Sequence, residues 1–431
     1  MSLIRKIVLV VDNPVRDLPA QIILGNELIE KGAEVYIAPF YGIGGFLQQI
    51  NPHIVVLNYA RPNNAKLIEK LHSQEVTVCV LDTEGGVFSN TGNDNSFIKT
   101  LISDREVRNK VSRYYVWGEK LYNYLLNENI YSSEQLELTG TPRFDAYSDK
   151  YNGILNRENK LKDYILVTGS FPVVNSQFQP VEVEARMLVE KFNYEQSYVD
   201  NLVEKLTSGL NSYVEKIIEL AKEFPGTDIV YRPHPFENVD FYNDKFKSVS
   251  NVHVIKQGVI AEWIHDSIAL IHFESSCALD ATILNRPCLA FDFSKEAFDI
   301  PDISAITHRL DNNWLSVIKN CIEGSYDSPK EVKESQSHIL RQIIYKNDGQ
   351  AAKRISESLM RLAISEYPSA NKLLVERVKP LIKNLLGKYD LSKSFSSREV
   401  TEIIDKLQIS NIQTSSHFQL GKFSAIELKT Q

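Results

Sequence analysis

The chain has 431 residues, 43% hydrophobic and 24% charged, which excludes disordered and fibrous classes and implies two or three folded domains instead of one core. Its formal net charge of −7 argues against nucleic acid as the main partner. No run approaches the roughly 20 apolar residues of a membrane span. Cys79, Cys277, Cys288 and Cys321 show no CxxC or CxH spacing, and the apolar stretch Ile7 to Val11 runs into Asp12 instead of a small-residue cleavage site. The expectation is a reduced, cytosolic protein with no zinc site.

In chain order, Ile7–Val11 reads as a strand, Pro19–Lys31 as an amphipathic helix closed by Gly32, Glu34–Ala38 and Ile54–Asn58 as strands, Asn63–Ser73 as a helix and Val76–Leu81 as a fourth strand. Gly42-Ile43-Gly44-Gly45 lacks the full GxGxxG spacing and reads as a flexible loop. Tyr114–Trp117 and Leu136–Leu138 end the first domain, residues 1–150, and the polar stretch Ser148–Lys162 reads as a linker. A second alternating unit, residues 163–345, holds strands at Tyr164–Thr168, Ile229–Tyr231, Val252–Ile255, Ile268–His272 and Cys288–Phe291, with a long helical region from Val181 to Glu223. From Ser328 to about Leu362 the pattern is helical and charged, and residues 346–431 read as a helical, polar C-terminal extension. Within it Lys372–Lys388 is a basic amphipathic piece, interrupted by Pro380, which either packs on the protein itself or lies on the cytosolic face of an inner membrane.

Alternating strands and helices give parallel sheets covered on both faces. The fold class is therefore α/β, with two Rossmann-like doubly wound domains facing across a cleft and a C-terminal helical extension. Strand ends are where such folds place polar chemistry. Asp228 to Pro235 and Ile271 to Ala281 each run from an apolar stretch into a polar turn suited to a phosphate. The first offers Arg232 and His234, the second Ser275 and Ser276 ahead of a helix whose N-terminus carries free N–H groups. Either alone reads as an ordinary strand end with His234 and Glu274 satisfied locally; both in this order read as one nucleotide site, joined by the turn at Gly169 and Ser170.

Asp82 and Glu84 end a buried-looking strand, and Gly85-Gly86 permit a tight turn that exposes them as a base or a nucleophile. A helix N-cap is the other reading of Asp82 and Thr83. The chain has no Asp-x-Asp, so a metal-independent reaction without a cofactor is expected. Arg16 follows the first strand, and Arg143 and Asp145 either pair with each other or contact substrate. GxSxG, HExxH and Walker A sequences are absent.

Arg16-Asp17-Leu18, Asp82-Thr83-Glu84-Gly85-Gly86, Thr139-Gly140-Thr141-Pro142-Arg143-Phe144-Asp145, Tyr231-Arg232-Pro233-His234-Pro235 and Ser275-Ser276 through Asn285-Arg286-Pro287 together resemble bacterial surface-carbohydrate biosynthesis proteins. They are similar to capsule and O-antigen (lipopolysaccharide) Kdo transferases and, more distantly, to bacterial sialyltransferases and CDP-glycerol glycerophosphotransferases. The resemblance covers roughly residues 5 to 345. It implies a GT-B-type glycosyltransferase, a CMP-activated acidic sugar such as Kdo as donor, a polysaccharide or glycolipid acceptor, and no metal. By the same resemblance His234, Pro235, Ser275 and Ser276 bind the CMP phosphate, and Asp82 or Glu84 is the acid/base or nucleophilic carboxylate. The chain departs from it at Thr168-Gly169-Ser170-Phe171, where an Asn-rich turn is expected, and in its C-terminal extension. Transfer of a polyol phosphate from CDP-glycerol or CDP-ribitol, or non-catalytic binding of a nucleotide sugar within a capsule assembly complex, are the alternatives.

Overall fold

The computed structural model describes residues 4–83, 104–156, 161–192, 194–293, 301–365, 393–420 and 423–431. Its strands, in chain order, are β1 Lys6–Val11, β2 Glu34–Pro39, β3 Ile54–Leu57, β4 Thr77–Leu81, β5 Arg113–Val116, β6 Leu136–Leu138, β7 Tyr164–Thr168, β8 Ile229–Arg232, β9 Val252–Val254, β10 Ser267–His272, β11 Cys288–Phe291, β12 His308–Leu310, β13 Ile412–Leu420 and β14 Phe423–Thr430. They belong to two compact units, one formed by the described residues up to 156 together with those from 340 onward, the other ending at 339.

The first unit holds an eight-stranded sheet in the order β13-β14-β2-β1-β3-β4-β5-β6. β1 to β6 run parallel, with Leu9 opposite both Ile37 and Val56 and Val80 opposite Tyr114. Ile7 to Val11 are wholly buried because helices cover both faces of the sheet. Strand order reverses beside β1, between β2 and β3, where the ends of neighbouring strands splay and leave a crevice.

The second unit holds a six-stranded, all-parallel sheet in the order β12-β11-β10-β7-β8-β9. Numbered from its own first strand this is 3-2-1-4-5-6, the order of dinucleotide-binding domains, with its switch point between β7 and β10. Its core joins Ile165, Val167, Tyr213, Ile217, Ile229, Ile271 and Leu289. The helical region after β7 is two helices, Val181–Phe192 and Gln196–Glu223.

Several elements differ from the expectation. The first helix begins at Pro14, not Pro19; Pro14 occupies the first turn, where its missing N–H costs nothing, and Pro19 is carried inside the helix. The Gly42–Gly45 stretch is no loop but opens the helix Ile43–Ile50, with Gly42 in the left-handed conformation at φ 82°. Half of the expected linker belongs to the first unit, since Tyr151, Ile154 and Leu155 are buried there. β12 was not expected as a strand, since only one of its three residues, Leu310, is apolar.

Residues beyond 346 contain helices, as expected, but are an integral part of the first unit. The helix Ala351–Arg361 packs on the helix Pro14–Glu30, and the hairpin β13–β14 pairs antiparallel with β2, with Ile426 opposite Ile37. Ser396 and Glu399 form a reciprocal capping box that starts the helix Ser397–Lys406. Lys372–Lys388 lies outside the described residues. Among the described residues no helix is long and apolar enough to cross a membrane.

Close backbone approach ties this segment down. A Cβ on Gly118 would sit 2.2 Å from the Gln342 carbonyl oxygen and 2.3 Å from the Ile343 carbonyl carbon. Gly118→Ala is therefore expected to lower stability by about 1–3 kcal/mol, the usual range for overpacking against atoms that cannot retreat, measured as a lower urea midpoint.

Candidate functional site

In the first unit a small concavity opens at the carboxyl ends of the strands, lined among others by Arg16, Gln21, Asp82, Thr83, Trp117 and Arg143. Asp82 directly follows β4 and is only 2% exposed. The Tyr114 hydroxyl donates to Asp82 Oδ2 at 2.7 Å, the Trp117 indole N–H donates to the Asp82 carbonyl at 2.6 Å, and Arg61 stands 4.0 Å from Oδ1. Burial, and then the neighbouring carboxylate, push the Tyr114 hydroxyl far above its ordinary pKa, so it remains a donor. The carboxylate is thus desolvated and held in one orientation. Glu84, Gly85 and Gly86 lie outside the described residues.

Arg16 reaches this wall from the helix Pro14–Glu30. Its guanidinium donates to both oxygens of buried Asp17 and, at 3.0 Å, to Thr83 Oγ1. Asp17 Oδ2 in turn accepts from the Asn13 N–H. The two residues therefore form a braced cation at the rim.

Thr141 caps the short helix Pro142–Asp145, and the Arg143 guanidinium lies 5.3 Å from the Phe144 ring centroid. Asp145 makes a contact that neither of its two readings, pairing with Arg143 or touching substrate, included. The Asp145 carboxylate accepts from the Ala351 and Ala352 N–H groups at 3.1 and 2.7 Å, closing the N-terminus of a helix some two hundred positions away in the chain. Burial raises its pKa to about 6, against those two N–H bonds and the charge of Arg354. Asp145 is structural.

In the second unit the turns at Gly169 and Ser170, at His234 and Pro235, and at Ser275 and Ser276 follow β7, β8 and β10, three adjacent strands beside the switch point. Arg232, expected to grip a phosphate, is committed elsewhere: it is buried, its Nη atoms donate to the carbonyls of Gln257 at 2.5 Å and Gly258 at 2.7 Å, and it lies over the Trp263 ring. It fastens the loop after β9. Glu274, with φ at 41°, pairs with Arg309 and holds that turn. The helix after Ser276 is only seven residues, Cys277–Ile283, and the Ser276 side chain makes no capping bond to it.

His234 is half-buried, and its Nδ1 accepts from the Phe236 N–H at 3.3 Å. That leaves the proton of the neutral ring on Nε2. Burial first, and then Lys256, push its pKa down to about 4, so the ring is a neutral N–H donor. His272, fully buried, is fixed in the same tautomer: Nδ1 accepts from the Ser275 N–H, and Nε2 faces Thr307 Oγ1 at 2.9 Å. Ser275 Oγ accepts from the Cys277 N–H, Ser276 is exposed, and Gly169 leaves room for the Tyr231 hydroxyl, which a Cβ would meet at 2.4 Å.

Glu237 was missed. Its side chain is wholly buried, accepts from the Phe171 N–H at 2.6 Å and from the Tyr242 hydroxyl at 2.5 Å, and so ties the turn after β7 to the His-Pro turn. Its place three residues after His234 was the available signal, hidden because a lone Glu in a turn normally faces water. Burial raises its pKa to about 7. A folded pKa above the unfolded one means that its contribution to stability is complete below about pH 4.3 and is lost as pH rises through 7. Glu237→Gln should therefore gain on the parent by roughly 3–4 kcal/mol between pH 4 and pH 8, read from urea unfolding at each pH. A pH-independent difference would refute the assignment.

No family model matches the chain, and no curated protein matches it in sequence. Solved structures do match it in fold. A UDP-N-acetylglucosamine 2-epimerase aligns with a TM-score of 0.56 and 14% identity over 84% of this chain and 96% of that one. The Methanocaldococcus jannaschii UDP-GlcNAc 2-epimerase in complex with UDP-GlcNAc and UDP aligns with a TM-score of 0.51 and 14% identity over 82% and 99%. The Neisseria meningitidis UDP-GlcNAc 2-epimerase bound to UDP-GlcNAc gives 0.50 and 16% over 83% and 100%. At these identities the likeness shows the fold: two Rossmann-like domains of the GT-B type.

Proposed function

We propose that the chain is a nucleotide-sugar-dependent glycosyltransferase of bacterial surface-carbohydrate synthesis, in which the second unit holds the nucleotide and the first holds the acceptor. The observation that carries this reading is Asp82, a buried carboxylate fixed by Tyr114 in the wall of a small concavity at the carboxyl ends of the strands. A carboxylate so placed takes the proton of an acceptor hydroxyl as that oxygen attacks the anomeric carbon. The bond from that carbon to the nucleotide phosphate breaks, and the departing phosphate gains charge. His234 Nε2–H and the Ser275 and Ser276 hydroxyls are the donors offered to it. Support for a nucleotide comes from the strand order of the second unit and from fold relatives that bind UDP or UDP-GlcNAc. Support for CMP-Kdo comes from the motif series alone.

Thermal-shift titration with CMP, CDP, UMP and UDP tests the nucleotide, because a ligand of the folded state raises Tm by mass action. Selective stabilisation by CMP is expected. A CDP preference moves the reading to polyol-phosphate transfer, a UDP preference with interconversion of UDP-GlcNAc moves it to epimerisation, and no response to any of the four overturns it. Asp82→Asn is expected to lower transfer at least about 100-fold and to leave the CMP-induced shift unchanged; full activity in this variant would sink the mechanism.

A further inference from the structure

Among the described side chains, Phe178 and Phe236 are the only exposed phenylalanines, 67% and 53% in solvent. Their ring centroids lie 5.8 Å apart at 61°. Phe236 also meets the His234 ring edge-on, with centroids 5.3 Å apart. Apolar side chains exposed singly are ordinary, but two aromatic rings kept in water against each other form a patch that calls for a partner.

Two hydrogen-bonded segments fix the pair. Phe178 follows β7 and Phe236 belongs to the His-Pro turn after β8, so both stand at the carboxyl ends of adjacent strands. Ser176 and Glu237 form an antiparallel bridge, the Gln177 N–H donates to the Phe236 carbonyl at 2.9 Å, and Gln177 Nε2 donates to the Pro235 carbonyl at 3.0 Å. Lys256 Nζ donates to Gln177 Oε1 at 2.8 Å, and the Phe178 N–H donates to Ser176 Oγ at 3.2 Å. The rings are thus ordered before any ligand arrives, which lowers the entropic cost of binding one.

The neighbouring His234 decides the occupant. Its Nε2–H is a donor for a phosphate, and a phosphate held there brings the rest of its nucleotide alongside Phe236. The flat group of a nucleotide is its base, which stacks on an aromatic ring without hydrogen bonds to its edge. We infer that Phe236 and Phe178 are the platform on which the base of the bound nucleotide stacks. The inference rests on the reading of the second unit as the nucleotide-holding half.

The test uses the full chain and its Phe178→Ala and Phe236→Ala variants, with CMP and UMP as probes. Both rings stand mostly in water, so their removal empties no core space. By calorimetric titration each variant is expected to bind the better of the two nucleotides at least about fivefold more weakly than wild type. In saturation-transfer NMR the base protons of that nucleotide are expected to receive stronger transfer than the ribose protons from wild type, and to lose that preference with either variant. Unchanged affinity in either variant overturns the inference. So does weaker binding with the base protons still favoured, which would show that the rings only shape the His-Pro turn. In both of those cases the nucleotide reading survives without the platform; if neither CMP nor UMP binds wild type, both readings fall.

Discussion

Both sheets are covered on two faces, and that constraint determines where any chemistry is placed. Ile7 to Val11 in β1 and Tyr164 to Val167 in β7 have no exposed surface, so no polar group along them reaches a ligand. In such folds ligands bind outside the carboxyl ends of the strands, where the strand order reverses. Asp82, Trp117 and Thr141 in the first unit, and Ser170, His234 and Ser276 in the second, stand where that geometry permits. The strand-end turns can therefore vary their chemistry without opening the core.

The wall beside Asp82 also depends on residues far along the chain. The turn Thr141–Asp145 is fixed because Asp145 closes the N-terminus of the helix Ala351–Arg361, and Arg354 returns a bond to the Thr139 carbonyl at 2.8 Å. The same C-terminal segment supplies the hairpin that covers the edge of β2, where an unpaired strand would otherwise expose its N–H and C=O groups. The described residues from 340 onward therefore support the first site structurally, linked to it through hydrogen bonds between side chains and backbone groups.

The strands with continuous apolar runs were legible in the sequence almost to the residue, as β7 and β11 show, because burial on both faces leaves no periodicity to misread. The C-terminal hairpin was not: in Ile412–Leu420 polar residues such as Gln413, Thr414 and Ser415 interrupt the apolar ones, and pairing with β2 is a tertiary event. Strand ends were legible as places where polar turns gather. Which polar residues would be free there was not, because that depends on partners remote in sequence. Nothing near Arg232 in the chain announces that the loop at Gln257 and Gly258 will take its guanidinium, and nothing near Asp145 announces Ala351.

That difference separates roles that residue type alone does not. Arg232, Glu274 and Asp145 are charged and near the strand ends, yet each is matched by a partner in the fold: backbone carbonyls, Arg309 and a helix N-terminus respectively. Removing a matched group leaves its partner unpaired, so its loss is felt first as stability. Loss of an unmatched group relieves the free protein and harms only the complex that would have matched it. The hydrogen-bond account of a polar group is therefore a better guide to its role than its charge.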